Sequence, residues 1–485
     1  MTGTTQGGAK HPAWTFAITS IAVFMTALDN LVVTTALPTI RAHLHASLSG
    51  LEWTVNAYTL TFAVLLLSGA TIGDRFGRRR LFVGGLVLFT LGSAGSALSQ
   101  GVAQLVAARA VQGVGAAIVT PLTLTLLAAA MPRERRAVAL GAWGAIAGLA
   151  VAVGPLVGGA IVEGVSWQWI FWVNVPIGLV LVPLAYGRLT ESRGPAKNLD
   201  FGGLVLASAG LFGVVYALVR SSSRGWGSAE VSATLSAGLV LLVAFAFYER
   251  RVAEPMLPLR LLRSRGFSAA NLASMLMAFG MFGSIFLLAQ FLQIVQGYSP
   301  LAAGVRTLPW TAMPMLVAPL GGILTQRLGG RPVLATGLAL QAVGLAWVAA
   351  VTSPTVPYWQ LVPAFIISGI GMALFFAPMA STVLGTVADA EEGIASGVNN
   401  AIRELGGVLG IAVLSSVFSA HGSYASGHSF VSGLVPAVYV GVGVVAVSVV
   451  AALAIPRSRQ AGRGGEAQTI EADGKAGVRT LQAIS

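Results

Sequence analysis

The sequence predicts an all-α, polytopic membrane protein, and two observations carry that prediction. First, only 9% of its 485 residues are charged while 55% are hydrophobic, with a mean hydropathy of +0.80. A soluble domain carries about 25% charged residues. This chain has too few polar groups to cover a water-facing surface, so most of that surface must face lipid. Second, the charge-free runs are long. Leu81–Ala108, Ala137–Val162, Phe267–Val305 and Pro332–Ala388 each meet or exceed the ~20 residues that cross a bilayer core as a helix. The last two are too long for one helix and must fold back.

In chain order, a polar N-terminal tail covers 1–13, and six spans follow at roughly 14–38, 51–71, 81–99, 103–130, 137–161 and 169–187. The first is an apolar run with one carboxylate, Asp29, and no basic residue within ten positions on either side. Together 14–187 form an N-terminal six-helix bundle. The segment 188–266 is a linker carrying two additional spans, 201–219 and 231–248. Six more, near 267–293, 302–325, 333–351, 360–386, 394–419 and 431–455, make a C-terminal bundle over 267–456. The remainder, 457–485, is polar and Gly-rich and reads as a disordered tail.

Orientation follows from the 29 Lys and Arg. With the N-terminus inside, Arg41, Arg220, Arg224 and Arg306 fall outside, Arg109 and Arg403 fall within spans, and all the others lie on the inner side. That bias supports an even number of spans in the cytoplasmic membrane with both termini cytoplasmic. The net charge of +12 is thereby explained by topology, without a nucleic-acid partner. No cleavable signal peptide is evident, because the first apolar segment is too long. The chain has no cysteine, which excludes disulfides and thiolate chemistry. Its histidines (11, 43, 45, 421 and 428) lie in terminal or loop stretches, so no metal is expected. There is no GxxxxGK[ST] loop for ATP. An enzyme should show clustered His, Asp or Glu within the spans, and a channel a filter motif; neither is present.

An internal repeat is visible. "GDRFGRRR" (Gly73–Arg80) follows the second span and "TQRLGGRP" (Thr325–Pro332) the tenth, so polar-Arg-apolar-Gly recurs after the second span of each six-span set. Two parallel six-span repeats with an inserted pair is the architecture of one class of secondary transporters.

Six motifs in order resemble those of the major facilitator superfamily, specifically its 14-span drug:proton antiporter family. They are "LDNLVVTTALP" (Leu28–Pro38), "GDRFGRRR", "RAVQGVGAA" (Arg109–Ala117), "AVGPLVGG" (Ala152–Gly159), "WQWIFWVNVPIG" (Trp167–Gly178) and "SGVNNAIRELGGVLG" (Ser396–Gly410). Leu31, Thr34 and Ala150 depart from the family's usual residues. The resemblance implies a proton-coupled exporter of drugs or antibiotics working by alternating access. A proton-coupled symporter of a small metabolite on the same fold is the alternative. It implies no cofactor, the proton gradient being the driving force, and a monomer whose partners are a small-molecule drug, protons and the lipid bilayer.

The resemblance also implies roles for particular residues. Gly73, Asp74, Arg75, Gly77 and Arg78 would latch one conformational state; independently, glycine and arginine suit a tight turn at the membrane face, and Asp74 is placed to pair with Arg78 or to cap a helix. Gly154, Pro155, Gly158 and Gly159 permit a bend and close helix approach, and the resemblance gives them the half-to-half interface and control of leak. Static packing is the competing reading.

Charges inside the membrane are expensive and point to function. At about 1.5 Å per residue, Asp29 lies roughly 14 Å and Arg109 roughly 10 Å from the outer ends of their spans, depths compatible with contact. A carboxylate in low dielectric favours its neutral form and a nearby arginine restores the charged one. Such a pair can switch protonation as pairing changes; a permanent salt bridge is the alternative. Glu404 is a second candidate proton site, or else a structural partner for a polar neighbour. Adjacent helical positions point about 100° apart, so Arg403 and Glu404 are not expected to share one direction. For the substrate cavity the candidates are Asn56, Tyr58 and Gln112 in the first half, Met281, Phe282, Phe286 and Gln290 on span nine, and Arg403. Methionine and aromatic surface suits adaptable apolar binding. With no carboxylate in spans nine to twelve, neutral, monocationic or amphipathic compounds are the expected substrates.

Overall fold

A computed structural model describes residues 12–193, 200–257, 259–387 and 391–456. The expected C-terminal tail, and the N-terminal one apart from its last two residues, lie outside the described residues. The described residues form fourteen long helical segments: α1 Pro12–Leu44, α2 Leu48–Phe76, α3 Arg78–Ala97, α4 Val102–Ala130, α5 Arg133–Gly164, α6 Trp169–Arg188, α7 Phe201–Arg224, α8 Ala229–Glu249, α9 Arg265–Val295, α10 Pro300–Leu328, α11 Gly330–Val351, α12 Tyr358–Leu384, α13 Glu392–His421 and α14 Gly427–Leu453. Thirteen described helices are long and apolar enough to cross a membrane. The remaining expected span is α2, 29 residues long.

In lipid every backbone polar group must be satisfied within the chain, which leaves helices as the spanning form here. Their ends still expose orphan N–H groups, and short polar side chains meet them. Ser47 accepts from the Gly50 N–H (3.2 Å), Asp200 from Gly203 (2.7 Å), Ser299 from Ala302 (3.3 Å) and Ser426 from Ser429 (3.1 Å). Pro300 follows its Ser299 cap at the first turn, where a missing N–H leaves nothing unpaired. Two spans are broken: α6 at Val173 and α10 at Ala312, just before Pro314. Span α9 closes with a π-turn over Phe291–Val295.

α1–α6 pack on one another in part through Phe82, Phe89 and Leu122. α9–α14 pack on one another through Phe286, Leu338, Phe365 and Phe430, in a core that continues across to Leu28, Val32 and Leu37 of α1 and so joins the two halves. The inserted pair is unequal. α7 wedges Val215, Leu218 and Val219 against Leu60 and Val64 of α2 and Val408 and Ala412 of α13, touching both halves. α8 packs on α7, and only 11% of its most apolar stretch is buried, so it is a peripheral, lipid-facing helix.

The repeat is also written in the backbone. Gly77 joins α2 directly to α3 at φ 110°, and Gly329 joins α10 directly to α11 at φ 87°. Both turns need the left-handed region that glycine alone enters freely. They mark the basic end of the molecule, where Arg75, Arg78–Arg80, Arg327 and Arg331 gather.

Candidate functional site

At mid-depth in the first half, five helices converge on Asp29 of α1. Its carboxylate and the Arg109 guanidinium on α4 are fully buried and form an ion pair, Nη1 to Oδ2 at 2.5 Å. Two amides complete the acceptor set: Gln112 Nε2 donates to Oδ1 at 2.7 Å and Asn174 Nδ2 at 2.9 Å. Arg109 also donates to Gln112 Oε1 at 2.9 Å and, through Nε, to the Thr54 carbonyl of α2 at 3.3 Å. Its guanidinium stands 4.2 Å from the centre of the Tyr58 ring, so a cation–π contact adds to the charge pairing. Ser93 of α3 receives Gln112 and Asn174 (3.3 and 3.0 Å) and donates to the Phe171 carbonyl at 2.9 Å.

Burying a charge is tolerable only when it is paired and hydrogen-bonded, and three donors hold this carboxylate. The depth match between Asp29 and Arg109 is thus realised as contact. Gln112, expected to line the substrate cavity, is a bridge between the pair and α3. Ser93 and Asn174 are members the sequence reading missed. Asn174 stood inside the quoted "WVNVPIG" stretch, as the polar residue in an apolar run.

The latch residues meet a partner that was also missed. Asp74 pairs with Arg78 at 2.7 Å, as expected. Behind them Glu191, just past α6, accepts from the Arg79 N–H at 3.0 Å and lies 3.7 Å from the Arg79 and 3.8 Å from the Arg80 guanidinium nitrogen. The Arg78 N–H donates to the Ser192 carbonyl at 2.9 Å. A side chain on Gly77 would meet the Glu191 carboxylate at 2.9 Å. Gly73 packs α2 onto Leu122 of α4. Arg75 is exposed over Phe76.

The small-residue stretch of α5 joins the two halves. Gly154 and Gly158 sit against Leu31 and Val32 of α1, and a Cβ at Gly159 would meet the Pro300 carbonyl of α10. Gly304 of α10 lies against the Pro155 carbonyl in return. Polar contacts across the halves cluster at this end, away from the basic one. Thr311 Oγ1 donates to the Ala152 carbonyl (3.0 Å), the Leu301 N–H to Glu163 (3.0 Å) and Gln293 Nε2 to the Thr35 carbonyl (2.8 Å). Beyond the Thr311 contact, toward the basic end, no described hydrogen bond links α10 to α5. This conformation is closed at the non-basic end.

Beneath that closure lies a small apolar pocket between the halves, lined by α1, α5, α9, α10 and α12. Its wall is apolar (Leu31, Ile285, Leu288, Trp310 and Phe365 among others) with Thr34, Thr35, Thr307, Thr311 and Gln293 supplying neutral polarity. None of the eight expected cavity residues is in it. Met281 and Phe286 are buried in the C-terminal core, Phe282 packs on Gly407, and Gln290 donates to the Phe286 carbonyl while accepting from Tyr424. Tyr58 donates to the Thr26 carbonyl at 3.3 Å, and Asn56 is fully buried with neither amide atom hydrogen-bonded. Arg403 lines a separate pocket with Phe375, Phe376, Asn399 and Asn400. The expectation that Arg403 and Glu404 diverge is corrected: their side chains pair at 2.9 Å, because the long arginine stem turns back along its helix. Glu404 therefore has its partner on its own helix. Among the described residues no cluster of three or more His, Asp or Glu could hold a metal ion.

Known proteins share this sequence and architecture. The family model of the Major Facilitator Superfamily matches residues 19–410 and 272–470. The chain is 38% identical over 406 residues to the cephamycin export protein of Amycolatopsis lactamdurans, covering 81% of this chain and 82% of that one. It is 34% identical over 418 residues to the tetracenomycin C resistance and export protein of Streptomyces glaucescens, covering 85% and 77%. Among solved structures, a POT family transporter aligns with a TM-score of 0.67 at 14% identity, over 91% of this chain and 96% of that one. Identity that low speaks for the fold alone.

Proposed function

The chain belongs to the Major Facilitator Superfamily, and from that premise we propose that it exports hydrophobic or amphipathic antibiotics or drugs across the cytoplasmic membrane in exchange for protons. The names of its relatives as export and resistance proteins support the direction and the substrate class. The observation that carries the mechanism is the fully buried Asp29–Arg109 pair with its three-donor cradle. No other described carboxylate is held at mid-depth by donors from so many helices.

The basic end is the cytoplasmic one by the positive-inside rule, so the closed seam faces outward and this conformation opens to the cytoplasm. Drug enters from that side and reaches the apolar cavity between the halves, whose threonines and Gln293 suit neutral or singly charged compounds. In the outward-facing state an external proton reaches Asp29, neutralises the carboxylate and frees Arg109 to keep only its Gln112, Thr54 and Tyr58 contacts. Loss of that charge pair loosens α1 from α4 and biases the return. Re-forming the pair inside expels the proton to the cytoplasm. The Gly77 turn and its Glu191 anchor hold the cytoplasmic end of the first half in register through these movements. The Gly154–Gly159 stretch seals the two halves against leak. The proton gradient supplies the drive, the working unit is a monomer, and both termini are cytoplasmic.

The test is accumulation of a panel of fluorescent apolar compounds in a drug-sensitive host expressing the chain. Lower accumulation, abolished by a protonophore, is the expected result. Compound-independent accumulation would refute export, and uptake driven down the proton gradient would establish the symporter instead.

A further inference from the structure

Outside the Asp29 network, the most unusual group in the fold is Glu52 on α2. It is 0% exposed, and neither carboxylate oxygen has a hydrogen-bond partner in the protein. One turn further along the same face, Asn56 is also 0% exposed with both amide atoms unpartnered. Across the seam the Ser415 hydroxyl of α13 stands beside the carboxylate as its nearest donor, but the two do not meet in the geometry of a full hydrogen bond. Glu52 and Asn56 belong to the first half and Ser415 to the second, so the Glu52 carboxylate meets the Ser415 hydroxyl where the halves close, with Asn56 one turn further along α2. All lie in the outer part of the seam, since Glu52 is in the first turns of α2 and Ser415 in the last turns of α13.

The charged groups around this point are as follows. From α1, Arg41 lies 3.6 Å from the centre of the Tyr424 ring with its Nε lacking a hydrogen-bond partner, while His43 and His45 are exposed. From α4, Arg109 is paired with Asp29. From α7, Arg220 pairs with Glu230 at 3.5 Å. From α13, Glu404 pairs with Arg403 and His421 is exposed. In the α13–α14 loop, Tyr424 donates to Gln290 at 2.6 Å; burial pushes its phenol well above the ordinary range, with Arg41 opposing. Among the described residues no cation pairs with Glu52.

We propose that Glu52 is a second proton-binding residue, neutral while the outer seam is closed and ionised when the seam opens to external water. A buried, unpaired carboxylate is far costlier than the neutral acid. The neutral acid has an O–H that the Ser415 hydroxyl or the Asn56 carbonyl can accept. Once water enters, the first turns of α2 favour the anion through the helix dipole. The closed state therefore holds one proton more at this position than the open state, and that proton comes from the external solution. By linkage, external acid closes the outer seam and external alkali opens it. For an exporter this direction is useful, because external protons speed the return of the emptied carrier. The inference rests on the alternating-access reading and on the basic end being cytoplasmic.

The chain has no cysteine, so two can be placed at will. Gln100→Cys in the α3–α4 loop and Ala425→Cys in the α13–α14 loop, both exposed, report the seam by spin-label distance in the full chain in nanodiscs without substrate. From about pH 5 to about pH 9 the open population should rise, its equilibrium constant changing by up to about tenfold per pH unit. Because protonation of Asp29 would bias the same movement, the comparison is made in an Asp29→Asn background. There the pH response should persist, Glu52→Asp should keep it, and Glu52→Gln, a mimic of the neutral acid, should hold the seam closed throughout. A response surviving in Asp29→Asn/Glu52→Gln, or a flat Asp29→Asn, would overturn the proposal, whatever the outcome for export, because the distances need no transport.

Discussion

Replacing Asp29 by asparagine keeps the shape of the side chain and removes its charge. Oδ1 accepts from both Gln112 and Asn174, while Oδ2 faces the Arg109 guanidinium. With the amide oxygen toward the two amides, the new NH₂ opposes Nη1 donor to donor. Flipped, it opposes Gln112 and Asn174 instead. Neither rotamer satisfies the site, and Arg109 is left as a buried charge without its counter-ion. Breaking a buried pair in this way costs about 3–5 kcal/mol. Arg109→Gln should cost a similar amount from the other side. The double variant removes both charges, so its loss should fall short of the sum of the two by at least about 2 kcal/mol, within the range of coupling between contacting residues. Reversible unfolding in mixed detergent micelles, followed by tryptophan fluorescence, measures all four corners of the cycle. Additivity to within about 0.5 kcal/mol would show that the pair is adjacent without being coupled, and the proton-switch argument would lose its basis.

Other consequences can be checked singly. Gly77→Ala places a side chain at φ 110° and against Glu191; strain of about 1–3 kcal/mol should lower thermal stability and export together, while Gly84→Ala, with open space at its Cβ, should do neither. Gly159→Leu should keep α10 from seating on α5, shifting the spin-label distances between the halves toward the open seam at every pH; an unchanged distribution would count against the closure assigned to that stretch. Glu191→Gln weakens only partly exposed ion pairs, each worth about 0.2–1 kcal/mol, so stability should fall by under about 1 kcal/mol while the Arg79 N–H contact loosens, detectable as faster amide exchange at the α2–α3 turn. Thr311→Val removes the hydroxyl that bonds the Ala152 carbonyl and changes the cavity wall, and should alter the ranking of exported compounds more than the rate for any one of them.

Much of this architecture was legible because it is written in composition and spacing. The lack of charge required a membrane protein, the apolar runs gave span lengths, and Gly77 and Gly329 announced their turns through the repeated Arg-apolar-Gly pattern. Asp29 and Arg109 stood out because buried charges are rare, and depth counted along two helices sufficed to bring them together. What escaped depended on direction. A helix that is apolar all round has no periodic stripe to show which side faces the cavity, so Met281 and Phe286 looked like cavity walls and are core. Ser93, Glu191 and Ser415 are ordinary residues until the fold places them beside a partner distant in sequence. Glu52 was passed over because it sits near a span end, where an acid normally reaches water; α13 covers it. The Arg403–Glu404 pair shows the limit of arguing from Cβ directions when one side chain is long enough to turn back.

If Asp29 carries the proton exchanged for drug, its loss uncouples the two. Proteoliposomes containing the purified chain, a trapped pH indicator and an apolar compound from the panel measure that coupling. Addition of compound should drive proton movement by the wild type and none above background by Asp29→Asn, with Glu404→Gln retaining the flux if Asp29 is the coupling site. Proton movement at the wild-type rate in Asp29→Asn would contradict the account.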